Sequence, residues 1–224
     1  MKTVAARNSP IFAPRSLLGR LGLARSGPAP LRSGRVALRP LSASDWEDWA
    51  ALRASSREFL TPWESTWPED ALTWANFRRR LRQYTEERER GTGYFFLIRR
   101  ASDDTLLGGI NLTNVRRGIA QAGTLGYWIG AAFARQGYMT EAMAAILAFG
   151  FDKLGLNRIE AACLVDNVAS RALLLKCGFR EEGLARKYLR INGAWQDHLT
   201  FAILRDDVRP PRAADAVRGP LPRK

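Results

Sequence analysis

The feature that most constrains this chain is residues 125–179, where strand-like and helix-like patterns alternate around glycines. The stretch opens with an apolar run at 125–129, whose aromatic and β-branched residues favour a strand. A glycine-containing turn then precedes a helix-length pattern over 138–154. A second strand-like run at 158–165 and a helix beginning at Asn167 follow. This order predicts parallel neighbouring strands joined by a right-handed crossover.

The turn at residues 134–139 has the features of an anion site. A helix N-terminus leaves unpaired backbone N–H groups and carries a partial positive charge, so it attracts phosphate. Gly137 lets the backbone approach a ligand closely, and Arg135 and Gln136 add donors beside it. A glycine before a helix is also an ordinary connection between elements, so the spacing alone leaves both interpretations open.

Four segments together resemble the GNAT superfamily of acetyl-CoA-dependent N-acetyltransferases: YWIG at 127–130, RQGYMTEA at 135–142, DNVASRALLLKCGF at 166–179 and EEG at 181–183. The sequence is similar in particular to the RimJ/RimL branch, which acetylates the N-termini of ribosomal proteins. The likeness covers roughly residues 36–204. It implies the α+β GNAT fold, with a central, mixed and strongly twisted sheet of about seven strands that splays to form an acetyl-CoA cleft.

The resemblance also implies acetyl-CoA as co-substrate and no metal. A bulge in the central strand would splay it from its parallel neighbour, and the freed backbone of residues 128–130 would pair with the pantetheine arm. The implied cofactor-binding residues are Trp128, Ile129, Gly130, Arg135, Gln136, Gly137, Tyr138, Met139, Thr140 and Asn167. The sequence departs from the family's pyrophosphate loop at Ala134, where the family has Gln or Arg, and at Met139, where it has Gly or Ala.

The implied reaction is direct attack of an amine on a thioester in a ternary complex. An α-amino group has a pKa of about 7.7 to 8, so a weak base suffices. Backbone N–H near Ile129 would hold the oxyanion. By the resemblance, Asn167 positions the pantetheine or a water, and Ser170 is the acid near the sulfur; Asn167 also suits an ordinary helix N-cap. The catalytic pool, with the base unassigned, is Ser170, Glu182, Tyr188 and His198.

The base is unassigned because a glutamate that a related ribosomal enzyme is thought to use aligns here with Leu189. Glu182 is then the closest matching carboxylate, and a raised pKa in a partly apolar groove would suit it. Residues 180–189 and 194–204 are predicted to form a last hairpin, turned by Asn192-Gly193. In its second strand, alternation puts His198 on the face opposite Asp197. Histidine has an ordinary pKa suited to proton transfer, yet a lone histidine in a strand is often structural.

Residues 58–70 contain two tryptophans and two prolines without a clear period. The Pro-Trp-Glu within this stretch resembles the RimJ/RimL branch, whose acceptor groove lies in this region. The resemblance therefore implies that Trp63, Glu64 and Trp67 bind the acceptor. The alternative is that the two tryptophans only pin a loop to the core.

The formal net charge of +13 lies mostly in the flanks of the chain. Residues 1–34 carry six bases and no acid, and we predict a disordered extension there. A mitochondrial transit peptide and an RNA-facing arm are alternatives for this segment. The acetyltransferase domain is predicted at 35–204, and a flexible tail at 205–224.

Two cysteines without metal or redox spacing, and no apolar run long enough to span a bilayer, favour a reduced, cytoplasmic compartment. The single histidine gives almost no support to a zinc site or a Ser-His-Asp triad. The sequence thus predicts a monomeric or homodimeric N-acetyltransferase that modifies Ala or Ser N-termini of a ribosomal protein. One alternative is an aminoglycoside or polyamine acetyltransferase, which would want an acidic groove. Another is a non-enzymatic ribosome- or RNA-binding protein on the same fold.

Overall fold

The computed structural model describes residues 29–207. The predictions for residues 1–28 and 208–224 lie outside the described residues. The strands are β1 (Leu31–Ser33), β2 (Val36–Pro40), β3 (Tyr94–Arg100), β4 (Leu106–Arg116), β5 (Ala122–Ile129), β6 (Arg158–Leu164), β7 (Arg180–Ile191) and β8 (Ala194–Leu204). The α-helices are α1 (Trp46–Ser55), α2 (Arg57–Leu60), α3 (Trp74–Glu89), α4 (Tyr138–Ala148) and α5 (Val168–Lys176).

The strands form one mixed sheet in the order β1-β2-β3-β4-β5-β6-β8-β7. Every neighbouring pair is antiparallel except β5 and β6, which run parallel. This confirms the predicted α+β architecture, but with eight strands instead of about seven. The additional strand is β1, in a segment that the sequence placed in the N-terminal extension. Gly34, at φ +52, allows the tight turn that folds β1 back onto β2.

The sheet buries a different apolar cluster on each face. Tyr127, Ile129 and Cys163 belong to the larger cluster, together with the buried face of α4 and Leu174 of α5. Trp128 packs on the smaller cluster, which centres on Trp49 of α1 and Phe77 of α3. Because side chains alternate along a strand, odd-numbered residues of β5 face α4 and α5, and even-numbered residues face α1 and α3.

Side chains fix where two of the helices begin. Ser42 and Asp45 form a reciprocal capping box around a 3₁₀ turn that leads into α1. Thr73 is the N-cap of α3. Part of the predicted loop at 58–70 is helical, as α2 and a 3₁₀ turn.

The parallel contact between β5 and β6 is short. It spans only Ala122–Thr124 of β5 and Arg158–Glu160 of β6, after which the two strands part. We predicted a bulge in the central strand as the cause. The register shift next to this contact lies instead on β4, between Thr113 and Arg116, where Asn114 has φ +48. The result is a cleft bordered by residues 125–129 of β5.

Within residues 29–207, no helix is long and apolar enough to cross a bilayer. In the same range, no three His, Cys, Asp or Glu side chains come close enough to hold a metal ion.

Candidate active site

The cleft edge of β5 is a backbone edge that no strand covers. Gly130 donates its N–H to the Leu107 carbonyl at 2.8 Å, so the backbone groups of Gly130 point toward β4. Backbone polarity alternates along an antiparallel pair, so Trp128 also faces β4, whereas Tyr127 and Ile129 face the cleft. The Gly130 carbonyl accepts from the Phe133 N–H at 2.9 Å. The prediction that the backbone groups of Trp128 and Gly130 are free to pair with the pantetheine arm is therefore wrong. The backbone N–H and carbonyl of Ile129 do face the cleft.

Trp128 contributes a side chain to the opposite face of the sheet. A Cβ atom added at Gly109 would lie 2.4 Å from its indole nitrogen, so a glycine is needed for the ring to lie against β4. The guanidinium of Arg53 stacks over the same ring at 4.9 Å from its centroid. Trp128 therefore forms part of the wall on the α1–α3 face.

The predicted anion site is at the start of α4. Gly137 has φ +85 and Arg135 has φ +59, so two left-handed residues shape the turn. Among the side chains of residues 29–207, none caps the helix. Tyr138 and Met139 are buried in the core, so they offer a ligand only their backbone. The Gln136 amide donates to the Ala132 carbonyl at 2.8 Å and holds the turn together.

Arg35, which follows β1, is bound to this turn. Its guanidinium donates to the Gln136 carbonyl at 2.8 Å and to Glu141 of α4 at 2.6 and 2.8 Å. It also stacks over the Tyr138 ring at 4.4 Å. A Cβ atom at Gly137 would lie 3.3 Å from the same guanidinium. Spacing along the chain does not reveal this contact, because 106 residues separate Arg35 from Glu141.

Two hydroxyl groups meet across the cleft. The Ser170 Oγ lies 2.6 Å from the Tyr127 Oη, which joins α5 to β5. The Asn167 Oδ1 accepts from the Ser170 N–H at 3.0 Å, so Asn167 is the N-cap of α5. Burial raises the pKa of the Tyr127 phenol, and the bond to Ser170 only partly opposes this effect. Both hydroxyl groups therefore keep their protons at neutral pH.

Glu182 does not have the environment expected of it. Its carboxylate forms a bidentate ion pair with Arg158, at the start of β6 where β5 and β6 are still paired. The hydrogen bond from Arg158 holds the pKa of Glu182 below its usual value. The expectation of a partly apolar groove and a raised pKa is wrong, because a strong base partner stabilises the charged carboxylate.

Tyr188 and His198 contact each other on β7 and β8. Their rings meet edge-to-face with centroids 5.7 Å apart. His198 is 3% exposed, whereas Tyr188 is 48% exposed. The His198 Nδ1 lies 3.0 Å from the Gln196 carbonyl. Leu189, which aligns with the relative's glutamate, is exposed and offers no titratable group.

The tryptophan-rich segment is organised by Arg53 of α1. Arg53 donates to both carboxylate oxygens of Glu64, at 2.9 and 2.6 Å, and stacks over Trp67 at 4.3 Å. The Trp67 indole N–H also donates to Glu64, at 2.7 Å. Trp63 is 39% exposed. Trp67 thus belongs to a fixed cluster, and Trp63 remains open to solvent.

The hairpin of β7 and β8 closes the same region from the other side. Asn192 and Gly193 form its two-residue turn, with φ +46 and +80, as the sequence predicted. The Asn192 side chain donates to the Thr61 carbonyl at 2.9 Å. Residues 61–67 and the hairpin therefore border one region of the α1–α3 face, which we call the hairpin side.

Comparison with known proteins decides the family. Residues 35–180 match the model of the acetyltransferase (GNAT) domain. The chain belongs to the GNAT acetyltransferases. Probable N-acetyltransferase YjcK of Bacillus subtilis (strain 168) is 37% identical over 177 residues, which are 79% of this chain and 98% of that protein. The [Ribosomal protein uS5]-alanine N-acetyltransferase of Escherichia coli (strain K12) is 32% identical over 81% of this chain and 94% of its own length.

A solved structure supports the same branch. Mycobacterium smegmatis RimJ in complex with CoA-disulfide superposes with a TM-score of 0.75 at 33% identity, covering 84% of this chain and 90% of RimJ. This GNAT chain is therefore an acyltransferase of the RimJ/RimL type. The non-enzymatic alternative has no support among these relatives.

The GNAT resemblance located the site, but contacts between distant residues complete it. The structure brings together Ile129, the turn at 135–140, Asn167 and Ser170 around the cleft. It leaves Glu182 at the paired end of β5 and β6. Sequence reasoning missed Tyr127, although alternation along the YWIG strand puts this side chain opposite to Trp128, on the α5 side.

Proposed function

We propose that this GNAT acetyltransferase transfers the acetyl group of acetyl-CoA to an N-terminal α-amino group of a protein, with Ala or Ser first, as found on ribosomal proteins. The observation that carries the proposal is the character of the hairpin side. It is edged by the exposed aromatic residues Trp63, Tyr188 and Trp195, and the β7 strand that borders it carries exposed bases. Such a surface suits the end of a polypeptide.

The same features argue against a small polycation as acceptor. Glu64, a carboxylate of the hairpin side, is neutralised by Arg53 at 2.6 Å. The exposed bases Arg186, Lys187 and Arg190 on β7 would repel an aminoglycoside or a polyamine. A single α-amine attached to an uncharged or acidic segment needs no cluster of free carboxylates and is not repelled by the bases of β7. Its pKa of about 7.7 to 8 also leaves a useful neutral fraction near pH 7.

The cleft fits acetyl-CoA as donor, which supplies the acetyl thioester when bound. The free backbone edge at Tyr127 and Ile129 can pair with the amide groups of the pantetheine arm. The Ile129 N–H, or a neighbouring one, can hold the oxyanion. The uncapped start of α4 offers N–H groups to the pyrophosphate, and Gly137 carries no side chain that would block the approach. Asn167 retains its amide N–H₂, which can donate to the pantetheine.

Ser170 is the proposed proton donor to the thiolate. If the Tyr127 hydroxyl donates to Ser170, the hydrogen of Ser170 can point at the thioester sulfur in place of the neighbouring Cys163 thiol. The proton that Ser170 gives up can be replaced through Tyr127, whose raised pKa keeps it protonated. In this proposal the acid lies on the α4–α5 face, and the hairpin side is left for the amine.

The experiment is acetyl transfer from labelled acetyl-CoA, measured by thiol release and by mass spectrometry of the acceptor. The acceptors are peptides that begin with Ala, Ser, Thr or Met, compared with spermidine and an aminoglycoside. Preference for Ala or Ser peptides by at least tenfold in kcat/KM supports the proposal. Turnover restricted to the small amines would overturn it. A peptide with an acetylated N-terminus and an internal lysine is the control for site of transfer.

A further inference from the structure

The attacking amine must lose a proton, and the structure leaves few groups on the hairpin side to receive it. Glu64 is held by Arg53 and Trp67. Asp197 is on the opposite face of β8, where its carboxylate accepts from the Lys187 backbone N–H at 2.8 Å. Glu182 is paired with Arg158 at the opposite end of β6. Of the two candidates that remain, His198 can accept a proton on its neutral imidazole, whereas the Tyr188 phenol would first have to lose its own proton.

The register of the sheet puts His198 at the right place. His198 is opposite Leu164, the last residue of β6, where β6 has separated from β5. Directly opposed residues share a face, and Cys163, the residue before Leu164, faces α5. His198 therefore faces the hairpin side, away from Ser170. The proposed reaction needs a base where the amine enters and an acid where the thiol leaves. His198 and Ser170, on opposite faces of the cleft, meet this requirement.

The contacts of His198 also fix its tautomer. A carbonyl oxygen only accepts, so the Nδ1 atom next to the Gln196 carbonyl carries the hydrogen when the ring is neutral. The lone pair is then on Nε2. Within residues 29–207, the fully enclosed side-chain nitrogens and oxygens without a hydrogen-bond partner are the Nε atoms of Arg53, Arg99 and Arg100. Nε2 of His198, which makes no hydrogen bond, therefore keeps access to solvent or substrate.

We propose that the Nε2 atom of His198 is the base of this acetyltransferase. The amine nitrogen attacks the thioester carbonyl carbon and forms the C–N bond. His198 takes the proton that this nitrogen loses, the C–S bond breaks, and the thiolate takes a proton from Ser170. His198 then releases its proton to water, and Ser170 regains from water, by way of Tyr127, the proton that it gave up. The inference rests on the proposed function only for the identity of the amine, because any amine acceptor has to lose this proton.

The first test uses the fact that the chain has one histidine. In untagged protein labelled with ¹⁵N-histidine, the imidazole signals need no assignment. The neutral ring is expected to show a protonated Nδ1 and a bare Nε2. Addition of an acceptor peptide together with the unreactive CoA thiol is expected to shift the Nε2 signal more than the Nδ1 signal. A protonated Nε2 in the neutral ring would overturn the proposal without any measurement of turnover.

The second test compares His198→Asn and His198→Gln with an Arg90→Ala control. The Asn variant keeps an amide donor near the Gln196 carbonyl but has no base. Arg90→Ala breaks only the exposed ion pair with Glu86 on α3. We expect kcat of both His198 variants to fall about 10²- to 10⁴-fold at pH 7, whereas Arg90→Ala stays within about threefold. Affinity for acetyl-CoA, from calorimetry, is expected to stay unchanged.

The pH dependence separates a base from a structural residue. Groups packed on the imidazole are the Tyr188 ring from β7, the Gln196 carbonyl and the apolar Leu164 of β6, and no ion pair within residues 29–207 includes it. The fold-loss of kcat in the His198 variants is expected to shrink at least tenfold between pH 7 and 9, since base in solution then takes the proton from the amine. A loss independent of pH, or unchanged kcat in His198→Asn, would overturn the proposal. The proposed function is tested separately, by comparing wild-type turnover of peptides with wild-type turnover of small amines. The ratio of variant kcat to wild-type kcat is then measured on whichever amine reacts.

Discussion

At the scale of single residues, the most informative contact is the one between Ser170 and Tyr127. Two hydroxyl groups 2.6 Å apart in a part-buried cleft polarise each other, and neither ionises at neutral pH. A carboxylic acid in that place would be charged and would repel a departing thiolate. A neutral hydroxyl pair can deliver a proton without that repulsion, which explains why an alcohol suits the acid role here.

Ser170→Ala and Tyr127→Phe are expected to affect turnover in different degrees. Removing Ser170 deletes the donor, so kcat should fall about 10²-fold or more. Tyr127→Phe removes the phenolic oxygen but leaves the Ser170 hydroxyl. This variant should lower kcat about tenfold, because Ser170 loses one hydrogen bond. Steady-state kinetics with acetyl-CoA varied checks this.

The double variant is the matched control for this pair. If the two residues act as one path, the double variant should be no slower than Ser170→Ala alone. Additive losses would show that the two hydroxyl groups act independently. A Ser170→Ala variant with full kcat would contradict the proposed acid.

At the scale of elements, α4 is oriented by a residue that precedes the first long strand. Arg35 binds both the turn at Gln136 and the first helical turn at Glu141. The turn carries two left-handed residues, Arg135 and Gly137, and such a turn needs outside contacts to keep one shape. Arg35 is therefore a positioning residue for the start of α4.

Arg35→Ala is expected to raise KM for acetyl-CoA about 3- to 10-fold and to leave kcat within about twofold. The range is modest because the Arg35 side chain is 54% exposed. Arg35→Lys keeps the charge but loses the bidentate contact, so it should restore only part of the affinity. Arg90→Ala breaks the exposed ion pair with Glu86 on α3 and serves as control. A fall in melting temperature with unchanged KM would mean that Arg35 only stabilises the fold.

The elements that the sequence predicted well are those defined by local patterns. The helix after Gly137, the turn at Asn192 and the N-cap at Asn167 depend on residues within a few positions of one another. The contacts that were missed depend on register. Glu182 meets Arg158 because β8 lies between β6 and β7, and Tyr127 meets Ser170 because α5 packs back over the cleft. Neither relation is visible in spacing along the chain.

At the scale of the whole molecule, a buried charge cluster holds the start of α1 to β2 and β3. Asp45 is 1% exposed and binds Arg39 at 2.6 Å and Arg99 at 2.7 Å. Burial raises the pKa of Asp45, but hydrogen bonds from Arg39 and Ser42 outweigh it, so the net pKa is below the ordinary value. A carboxyl whose pKa is lower in the folded state stabilises the fold above about pH 4, and this stabilisation is lost as the pH falls through the folded pKa.

Asp45→Asn is expected to lower the free energy of unfolding by about 3 to 5 kcal/mol at pH 7, because it leaves Arg99 buried without its closest partner. The difference from wild type should shrink from about pH 4, where Asp45 of the unfolded chain takes up a proton, down to the lower pKa of the folded protein. Urea unfolding at several pH values measures this. Asp104→Asn, whose side chain is 73% exposed, is the control and should change stability by less than about 0.5 kcal/mol. An equal effect of both variants would contradict the role assigned to Asp45.

Only three residue pairs join β5 to β6, so the sheet is weakly connected at this point. On one side, α4 packs against β1, β2 and β4; on the other, α5 packs against β7. The β6–β8–β7 unit with α5 should therefore open as its own cooperative unit in native-state amide hydrogen exchange, ahead of β2–β5. Acetyl-CoA bound in the cleft would touch both units and should slow exchange in both by a common factor. Equal protection of both units without ligand would contradict this division.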